Sequence, residues 1–116
     1  MPPRDWRLRI EDILEAIHRI EQYTHAMDAD AFFVDSKTLD AVVRNLIIIG
    51  EAVRMLPLEV QQKYRKVPWV QMRAMRNIVV HEYFGVDETI IWTTVKNDLP
   101  PLVPLLEQIL DASEER

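Results

Sequence analysis

The sequence predicts an all-α protein, a helical bundle of four long helices plus one or two short ones. Apolar residues recur at intervals of three and four along most of the chain, which is the spacing of one helix face. Prolines, serine and aspartate stand where such segments begin, whereas no segment alternates apolar and polar residues as a strand does. With 116 residues, the whole chain 1–116 is expected to form a single domain.

The first half of the chain is expected to hold two long helices. The first runs from about Arg4 to Met27, and residues 28–34 are expected to form a short connection. Ser36 is a suitable N-cap for the second, which Pro57 interrupts near its end. The expected buried faces consist of Trp6, Ile10, Ile13, Leu14, Ile17 and Ile20 in the first helix, and Leu39, Val42, Val43, Leu46, Ile49 and Val53 in the second.

The second long helix contains the segment NLIIIGEA, whose three consecutive isoleucines point in three directions around the helix. A helix that is apolar on several sides has to be covered on several sides. Gly50 costs about 1 kcal/mol relative to alanine in a helix interior, which is explained if another backbone approaches closely there. This helix is therefore interpreted as the central helix of the bundle, as part of a subunit contact, or as both.

Prolines and a glycine divide the next part of the chain. Pro57 is expected to open a short helix, PLEVQQKY, and Pro68 is expected to open the third long helix. This helix continues to about Tyr83, and Gly85 is its natural stop. Its expected packing groups are Trp69, Met72, Met75, Ile78 and Val79.

The remaining segments predict two further helices. Asp87 is expected to cap a helix from Glu88 to about Asn97. Pro104 lies near the start of the last helix and is expected to bend it or to delay its first full turn. The tail DASEER is expected to fray.

Composition excludes several classes of protein. The absence of cysteine excludes a disulfide framework and a thiolate metal site, and it suits a cytoplasmic location. Two glycines leave no material for a glycine-rich phosphate loop. The start MPPRDWRLRIED becomes charged before any apolar h-region forms, so we expect no signal peptide. No apolar run approaches the ~20 residues of a membrane span, so we expect a soluble protein without a membrane partner.

The charge distribution allows a nucleic-acid partner although the chain has a net charge of -5. Residues 61–80 contain five Lys and Arg and no acid, while the rest of the chain has 9 Lys and Arg against 19 Asp and Glu. An acidic protein with one local basic cleft still attracts phosphates. The alternative interpretation is a solvated polar loop between helices. The predicted RNA-binding residues are Lys63, Arg65, Lys66 and Arg73.

The segment RNIVVHEYF, residues 76–84, concentrates reactive groups in an otherwise apolar helix. Each polar residue alone has an ordinary structural explanation, as a surface charge or a packing group. Together they provide an imidazole that exchanges protons near neutral pH, His81, and a guanidinium shaped to bind phosphate, Arg76. Because RNA carries its own nucleophile, the 2′-hydroxyl, one base and one cation suffice to cleave it without a metal.

The spacing of these two residues raises a geometric problem. At 100° per residue, Arg76 and His81 lie roughly 140° apart around an ideal helix. Either the helix deforms before Gly85, or the groups converge with their counterparts from a second subunit. The surplus apolar surface of the isoleucine-rich helix favours a two-fold homodimer with its active cleft along the seam.

Residues 76–83 contain an arginine followed by a polar residue and then H-x-Y, a pattern that is similar to the RX4HXY motif of HepT-like toxins in the HEPN superfamily. RNLIIIGEAVRML, residues 44–56, and YFGVDETIIW, residues 83–92, also resemble that family. The resemblance implies an α-helical, dimeric, metal-independent endoribonuclease, the toxin of a HepT/MntA type toxin–antitoxin pair. It implies Arg76 and His81 as the catalytic pair and Asn77 as a polar helper. It also implies that an MntA-like minimal nucleotidyltransferase antitoxin attaches AMP to Tyr83.

Two other functions remain open for the same residues. A non-catalytic module would bind nucleotide or RNA through the motif and serve as a scaffold for a nucleotidyltransferase. A purely structural protein would use residues 76–83 as a dimer seam without a ligand.

Other polar residues do not predict a further site. No cofactor is expected, and no metal is expected because His18 and His25 share a helix face without a third ligand at helical spacing. Glu51 is interpreted as a helix-packing or dimer-contact residue and not as a general base.

Overall fold

The computed structural model describes residues 5–82 and 87–114, with the side chains of residues 78–82 and 114 excepted. All secondary structure in this part of the chain is helical, which confirms the all-α class. None of the described helices has the length and apolar character needed to cross a membrane. The helices are α1 (Trp6–Thr24), α2 (Ala29–Val34), α3 (Ser36–Arg54), α4 (Leu58–Lys63), α5 (Trp69–Glu82), α6 (Glu88–Thr93) and α7 (Leu102–Glu114).

The central helix of the bundle is α3, which packs along both α1 and α5. Its segment with three isoleucines behaves as the sequence predicts, because Ile49 is fully buried and Ile47 and Ile48 are half-buried. The predicted face of α1 is buried from Ile10 to Ile20, and α7 packs against this helix. The resulting core is almost entirely aliphatic, with Trp69, Met72 and Met75 entering it from α5.

The connection predicted at residues 28–34 is wrong, because Asp28 caps the helix α2, which takes up residues 29–34. The Asp28 carboxylate accepts a hydrogen bond from the Ala31 N–H at 2.8 Å, which caps the helix. Phe32 is 0% exposed, and its ring lies 5.0 Å from that of Trp92. A helix of six residues is too short to show a periodic apolar face, and this single buried ring holds it in place.

The N-cap of α3 also differs from the prediction, since Asp35 and not Ser36 has this role. The Asp35 carboxylate accepts the Thr38 backbone N–H at 3.0 Å and the Thr38 hydroxyl at 2.8 Å. These hydrogen bonds hold the pKa of Asp35 below its ordinary value. Ser36 is already the first residue of the helix.

The second half of the chain confirms most predicted boundaries. The short helix α4 follows Pro57, and the Asp87 carboxylate caps α6 by accepting the Thr89 N–H at 3.0 Å. The helix predicted to reach Asn97 instead changes at Thr94 into a π-helical turn, Thr94–Asp98. The predicted stop at Gly85 lies outside the described residues.

The last helix is more regular than its prolines suggest. It begins at Leu102, so Pro104 lies in the first turn, where its missing N–H removes no intrahelical hydrogen bond. Residues 111–114 of the expected frayed tail belong to the helix. In the described part of the chain, the bundle therefore has four long helices, three short ones and one π-helical turn.

Candidate active site

Helix α5 carries Arg76, Asn77 and His81, the three predicted catalytic residues. The side chains of Arg76 and Asn77 are exposed, whereas the side chain of His81 and all of Tyr83 lie outside the described part of the structure. The backbone is α-helical from Trp69 to Glu82, through both Arg76 and His81. Up to Glu82 the helix shows no deformation, so the backbone positions of Arg76 and His81 are roughly 140° apart around the helix axis. The residues directly before Gly85, where the predicted deformation would also fall, lie outside the described part of the chain.

The backbones of α3 and α5 come closest at Gly50. A Cβ atom at position 50 would lie 2.8 Å from the Arg76 Cβ, 3.1 Å from the Arg76 nitrogen and 3.1 Å from the Arg73 carbonyl oxygen. Real Cβ atoms do not approach other atoms at the first of these distances. The expected close approach of another backbone is confirmed, and it occurs where Arg76 leaves α5.

Glu51, the next residue of α3, forms an ion pair with Arg76. Its Oε1 lies 2.8 Å from the Arg76 Nε, and its Oε2 accepts a hydrogen bond from the Arg54 Nη2 at 3.2 Å. Oε1 is buried, and its contact with the Arg76 Nε is an ion pair without hydrogen-bond geometry. One carboxylate thus lies between two guanidinium groups. The interpretation of Glu51 as a helix-packing residue is confirmed, and its partner is the predicted phosphate-binding residue.

The predicted RNA-binding residues divide into two groups. Lys63, Arg65 and Lys66 line an open cavity of about 330 Å³ together with α7 residues, whereas Arg73 does not line it. Arg73 is exposed on α5, one turn before Arg76. The structure therefore brings three cations to the junction of α4 and α7 and leaves two on the face of α5.

A second cavity of about 630 Å³ lies between α5 and the residues around the π-helical turn. Its lining is mainly apolar and includes Met72 and Met75, with Asn97 and Asp98 as polar residues. Arg76 and Asn77 do not line it, so the cavity is separate from the predicted catalytic residues.

His18 and His25 line a shallow surface depression with Glu21 and Gln22. In the described parts of the chain, no three His, Cys, Asp or Glu residues are grouped so that they could hold a metal ion.

The residues that the sequence interpretation missed are Glu51, as the partner of Arg76, and Arg54, as the second cation on the same carboxylate. The contact depends on how α3 crosses α5, which no local pattern reveals. Gly50 was the available signal, because it predicted a close approach next to Glu51 without identifying the approaching helix.

A family model described as "Ribonuclease HepT-like" matches residues 13–109 of this chain. "Probable ribonuclease HepT" of Thermococcus cleftensis is 42% identical over 100 residues, which cover 86% of this chain and 91% of that protein. "Putative RNase MJ0127" of Methanocaldococcus jannaschii is 42% identical over 110 residues, 95% of this chain and 91% of that protein. The similarity therefore extends over most of both chains.

A longer relative contains the same region beside other sequence. "Gamma-glutamylcyclotransferase and putative RNase MJ0434" of Methanocaldococcus jannaschii is 42% identical over 112 residues, which cover 97% of this chain. This chain spans 49% of that relative. No solved structure matches the chain.

Proposed function

The chain belongs to the HepT-like ribonuclease family, and from this premise we propose that it is a metal-independent endoribonuclease, the toxin of a toxin–antitoxin pair. The observation that carries the proposal is the exposed guanidinium of Arg76, held where α3 crosses α5, on the same helix as His81. A guanidinium in this position is available to bind an RNA phosphate through two parallel hydrogen bonds.

The proposed reaction uses the nucleophile that RNA itself contains. His81 takes the proton of a 2′-hydroxyl, whose oxygen attacks the adjacent phosphorus atom. Arg76 stabilises the negative charge that develops on the phosphate oxygens, and Asn77 assists as a hydrogen-bond donor. The bond from phosphorus to the 5′-oxygen breaks, and this oxygen takes a proton from an imidazolium or from water. The products are a 2′,3′-cyclic phosphate and a free 5′-hydroxyl. Because His81 moves the proton and Arg76 stabilises the charge, the proposed reaction uses no metal.

We place this reaction in a homodimer. The regular α5 helix cannot aim Arg76 and His81 of one chain at the same phosphate, so a site that uses both draws them from two chains. On an ideal helix, Val70, Asn77 and His81 lie within about 40° of one another. Val70 is 69% exposed, and in the proposed dimer the second chain would cover it.

The proposed regulation acts on Tyr83. An MntA-like minimal nucleotidyltransferase encoded beside the toxin would transfer AMP from ATP to the Tyr83 hydroxyl, which loses its proton as its oxygen displaces pyrophosphate from the α-phosphorus. The product carries a negative phosphodiester and a bulky base seven residues after Arg76 in the sequence, and we propose that it repels and obstructs RNA. Transfer of AMP in the cytoplasm, where both proteins are expected, would keep the toxin silent.

Cleavage of a labelled RNA oligonucleotide in excess EDTA tests the proposed activity. Wild-type protein is expected to give 2′,3′-cyclic phosphate ends, and Arg76→Ala and His81→Ala are expected to lose the activity. Arg19→Ala on α1 is the matched control, because Arg19 is also a half-exposed arginine paired with a glutamate, Glu15, and lies on a different helix. Equal cleavage by wild type and His81→Ala would contradict the proposal.

The same experiment separates the enzyme from the non-catalytic module. A protein that binds the oligonucleotide and leaves it intact, with binding that depends on Arg76, supports an RNA-binding partner of a nucleotidyltransferase. Cleavage that depends on both Arg76 and His81 supports the ribonuclease. For the antitoxin, intact-mass measurement after co-expression with a neighbouring nucleotidyltransferase tests for one adenylyl group, which Tyr83→Phe should lack.

A further inference from the structure

Glu51 connects α3 to the proposed phosphate-binding residue at a point where the two helices cannot shift freely. Gly50 leaves no space for even a methyl group against Arg76, so the spacing of the two backbones is fixed there. Glu51 follows directly, and its Oε1 lies 2.8 Å from the Arg76 Nε. The contact is therefore part of the helix crossing and not an incidental meeting of two surface side chains.

The ion pair leaves the outer part of the Arg76 guanidinium available. Glu51 approaches the Nε atom, whereas a phosphate bound through two parallel hydrogen bonds can use the two Nη atoms. The Arg76 side chain is 48% exposed, although the Oε1 atom of Glu51 is buried. The Glu51 oxygen that contacts Arg76 is therefore buried, while the Nη atoms that would bind a phosphate belong to a half-exposed side chain.

Arg54 restrains the Glu51 carboxylate. Its Nη2 donates a hydrogen bond to the Oε2 of Glu51 at 3.2 Å from one turn further along α3. The carboxylate is thus held between Arg54 on its own helix and Arg76 on α5. Neither ion pair is expected to add much stability, because the side chains of both arginines are about half exposed.

We propose that Glu51 is a positioning residue, which holds the Arg76 guanidinium in the orientation that receives the scissile phosphate. This inference rests on the proposed ribonuclease function and assigns it a residue on a second helix. Glu51 does not contact RNA or exchange a proton with it. It acts through Arg76, by limiting the rotamers that this long side chain would otherwise sample.

The positioning role and a simple charge effect predict different results for turnover. A carboxylate near a phosphate site repels RNA, so its removal alone would tighten RNA binding. If Glu51 positions Arg76, its removal lowers turnover even when RNA binds as tightly as before or more tightly. The catalytic rate constant and the dissociation constant therefore distinguish the two roles.

The experiment compares wild type with Glu51→Gln, Glu51→Asp and Arg76→Ala. Single-turnover cleavage of one RNA oligonucleotide gives the rate constant, and a 2′-O-methyl version that cannot be cut gives the dissociation constant. Glu51→Gln is expected to lower the rate constant about tenfold to a hundredfold without weakening binding. Glu51→Asp keeps the charge but shortens the side chain by one methylene, so it is expected to show the same reduction.

Glu15→Gln is the matched control, because the Glu15 Oε1 lies 3.1 Å from the Arg19 Nε and both residues are exposed on α1, a different helix. It is expected to cleave like wild type, and circular dichroism confirms that all variants are folded. If wild type and Arg76→Ala show the same turnover, or none, the proposed function fails and the role of Glu51 fails with it. If Arg76→Ala is inactive while Glu51→Gln and Glu51→Asp cleave like wild type, only the role of Glu51 is overturned.

Discussion

Gly50 lies against the backbone of Arg76, so that a Cβ atom at position 50 would come within 2.8 Å of the Arg76 Cβ. This contact explains why a glycine occupies the interior of the central helix, where it lowers intrinsic helix stability. The contact also connects the packing of the core to the proposed site. The crossing of α3 and α5 requires a glycine at position 50, and the same crossing determines where Arg76 lies.

Gly50→Ala is expected to destabilise the protein although alanine is the better helix former. The gain of about 1 kcal/mol in helix propensity is outweighed by the roughly 1–3 kcal/mol typical of overpacking, because the new methyl group meets the α5 backbone. Urea unfolding should show a lower free energy of unfolding, and the displaced Arg76 should lower RNA cleavage. Asp40→Ala, on the exposed side of α3, is the control and should be close to neutral. If Gly50→Ala is as stable as wild type or more stable, α3 and α5 move apart to admit the methyl group without a loss of free energy of unfolding.

The four long helices could be predicted from the sequence because each repeats its apolar residues over several turns. The helix α2 could not, since six residues contain less than two turns and only Phe32 is buried. The π-helical turn could not be predicted either. It is recognised by the hydrogen bond from the Leu99 N–H to the Thr94 carbonyl at 3.1 Å, which sequence spacing does not specify.

Local sequence patterns also predict part of the candidate site, namely the residues that α5 alone contributes. Arg76, Asn77 and His81 lie within six residues of one another in the sequence, so their order along the chain predicts that one helix, α5, carries all three. The pairing of Arg76 with Glu51 joins residues 25 positions apart and depends on the angle between two helices. Local patterns predict which face of a helix is buried, but they do not predict which polar residues meet across a crossing.

Asp35 is expected to make the stability of α3 depend on pH. Its hydrogen bonds with Thr38 lower its pKa in the folded protein, below the value of about 3.9 in an unfolded chain. A lowered folded pKa stabilises the protein above the unfolded pKa, and this contribution disappears as the pH falls through the folded pKa. Asp35→Ala should therefore lower the melting temperature at pH 7, and the difference from wild type should shrink at acidic pH, below about 4.

Asp35→Asn separates the cap from its charge. Asparagine still accepts the Thr38 N–H, so it should retain part of the stability, with a contribution that does not change with pH. A difference between wild type and Asp35→Ala that is the same at neutral and acidic pH would contradict the role of the charged cap.

Ala26 offers a site where glycine should stabilise the protein. It follows α1 with a φ of 62°, in the left-handed region that side chains with a Cβ atom disfavour. Ala26→Gly relieves this strain and is expected to raise the free energy of unfolding by about 0.5–1 kcal/mol, after the larger entropy of the unfolded glycine chain is subtracted. Urea unfolding measures the change. Ala31→Gly, in the helix α2, is the control and should lower stability by about 1 kcal/mol.

The cations at the junction of α4 and α7 are expected to bind RNA phosphates outside the cleavage site. Lys63→Gln with Lys66→Gln should weaken binding to an RNA oligonucleotide and reduce the slope of log K against log salt by about 0.7 for each phosphate that these lysines neutralise. His81→Ala in the background keeps the RNA intact during titration. Lys37→Gln, an exposed lysine of α3, is the control. If the slope of log K against log salt is the same with and without the two lysines, the RNA binds elsewhere. The segment that contains them would then be a solvated polar loop between helices.

Mixing two inactive variants tests whether one site draws residues from two chains. In a mixed dimer, one chain carries Arg76→Ala and the other carries His81→Ala. If each site takes Arg76 from one chain and His81 from the other, one of the two sites has both intact groups and the other site has neither. Random exchange places half of the chains in such mixed dimers, so about a quarter of the wild-type activity should return. The measurement is RNA cleavage after the two purified variants are mixed and given time to exchange subunits.

A site formed within one chain gives the opposite result. Each site of a mixed dimer would then lack either Arg76 or His81, and mixing would restore nothing. Sedimentation of each variant serves as the control, since the comparison requires both to form dimers like wild type. Failure to regain activity among exchanging dimers would mean that the two groups meet within one chain, although α5 is a regular helix from Trp69 to Glu82. Recovery of activity would instead show that Arg76 of one chain and His81 of the other form one site across the two-fold axis, although they lie roughly 140° apart around the helix within each chain.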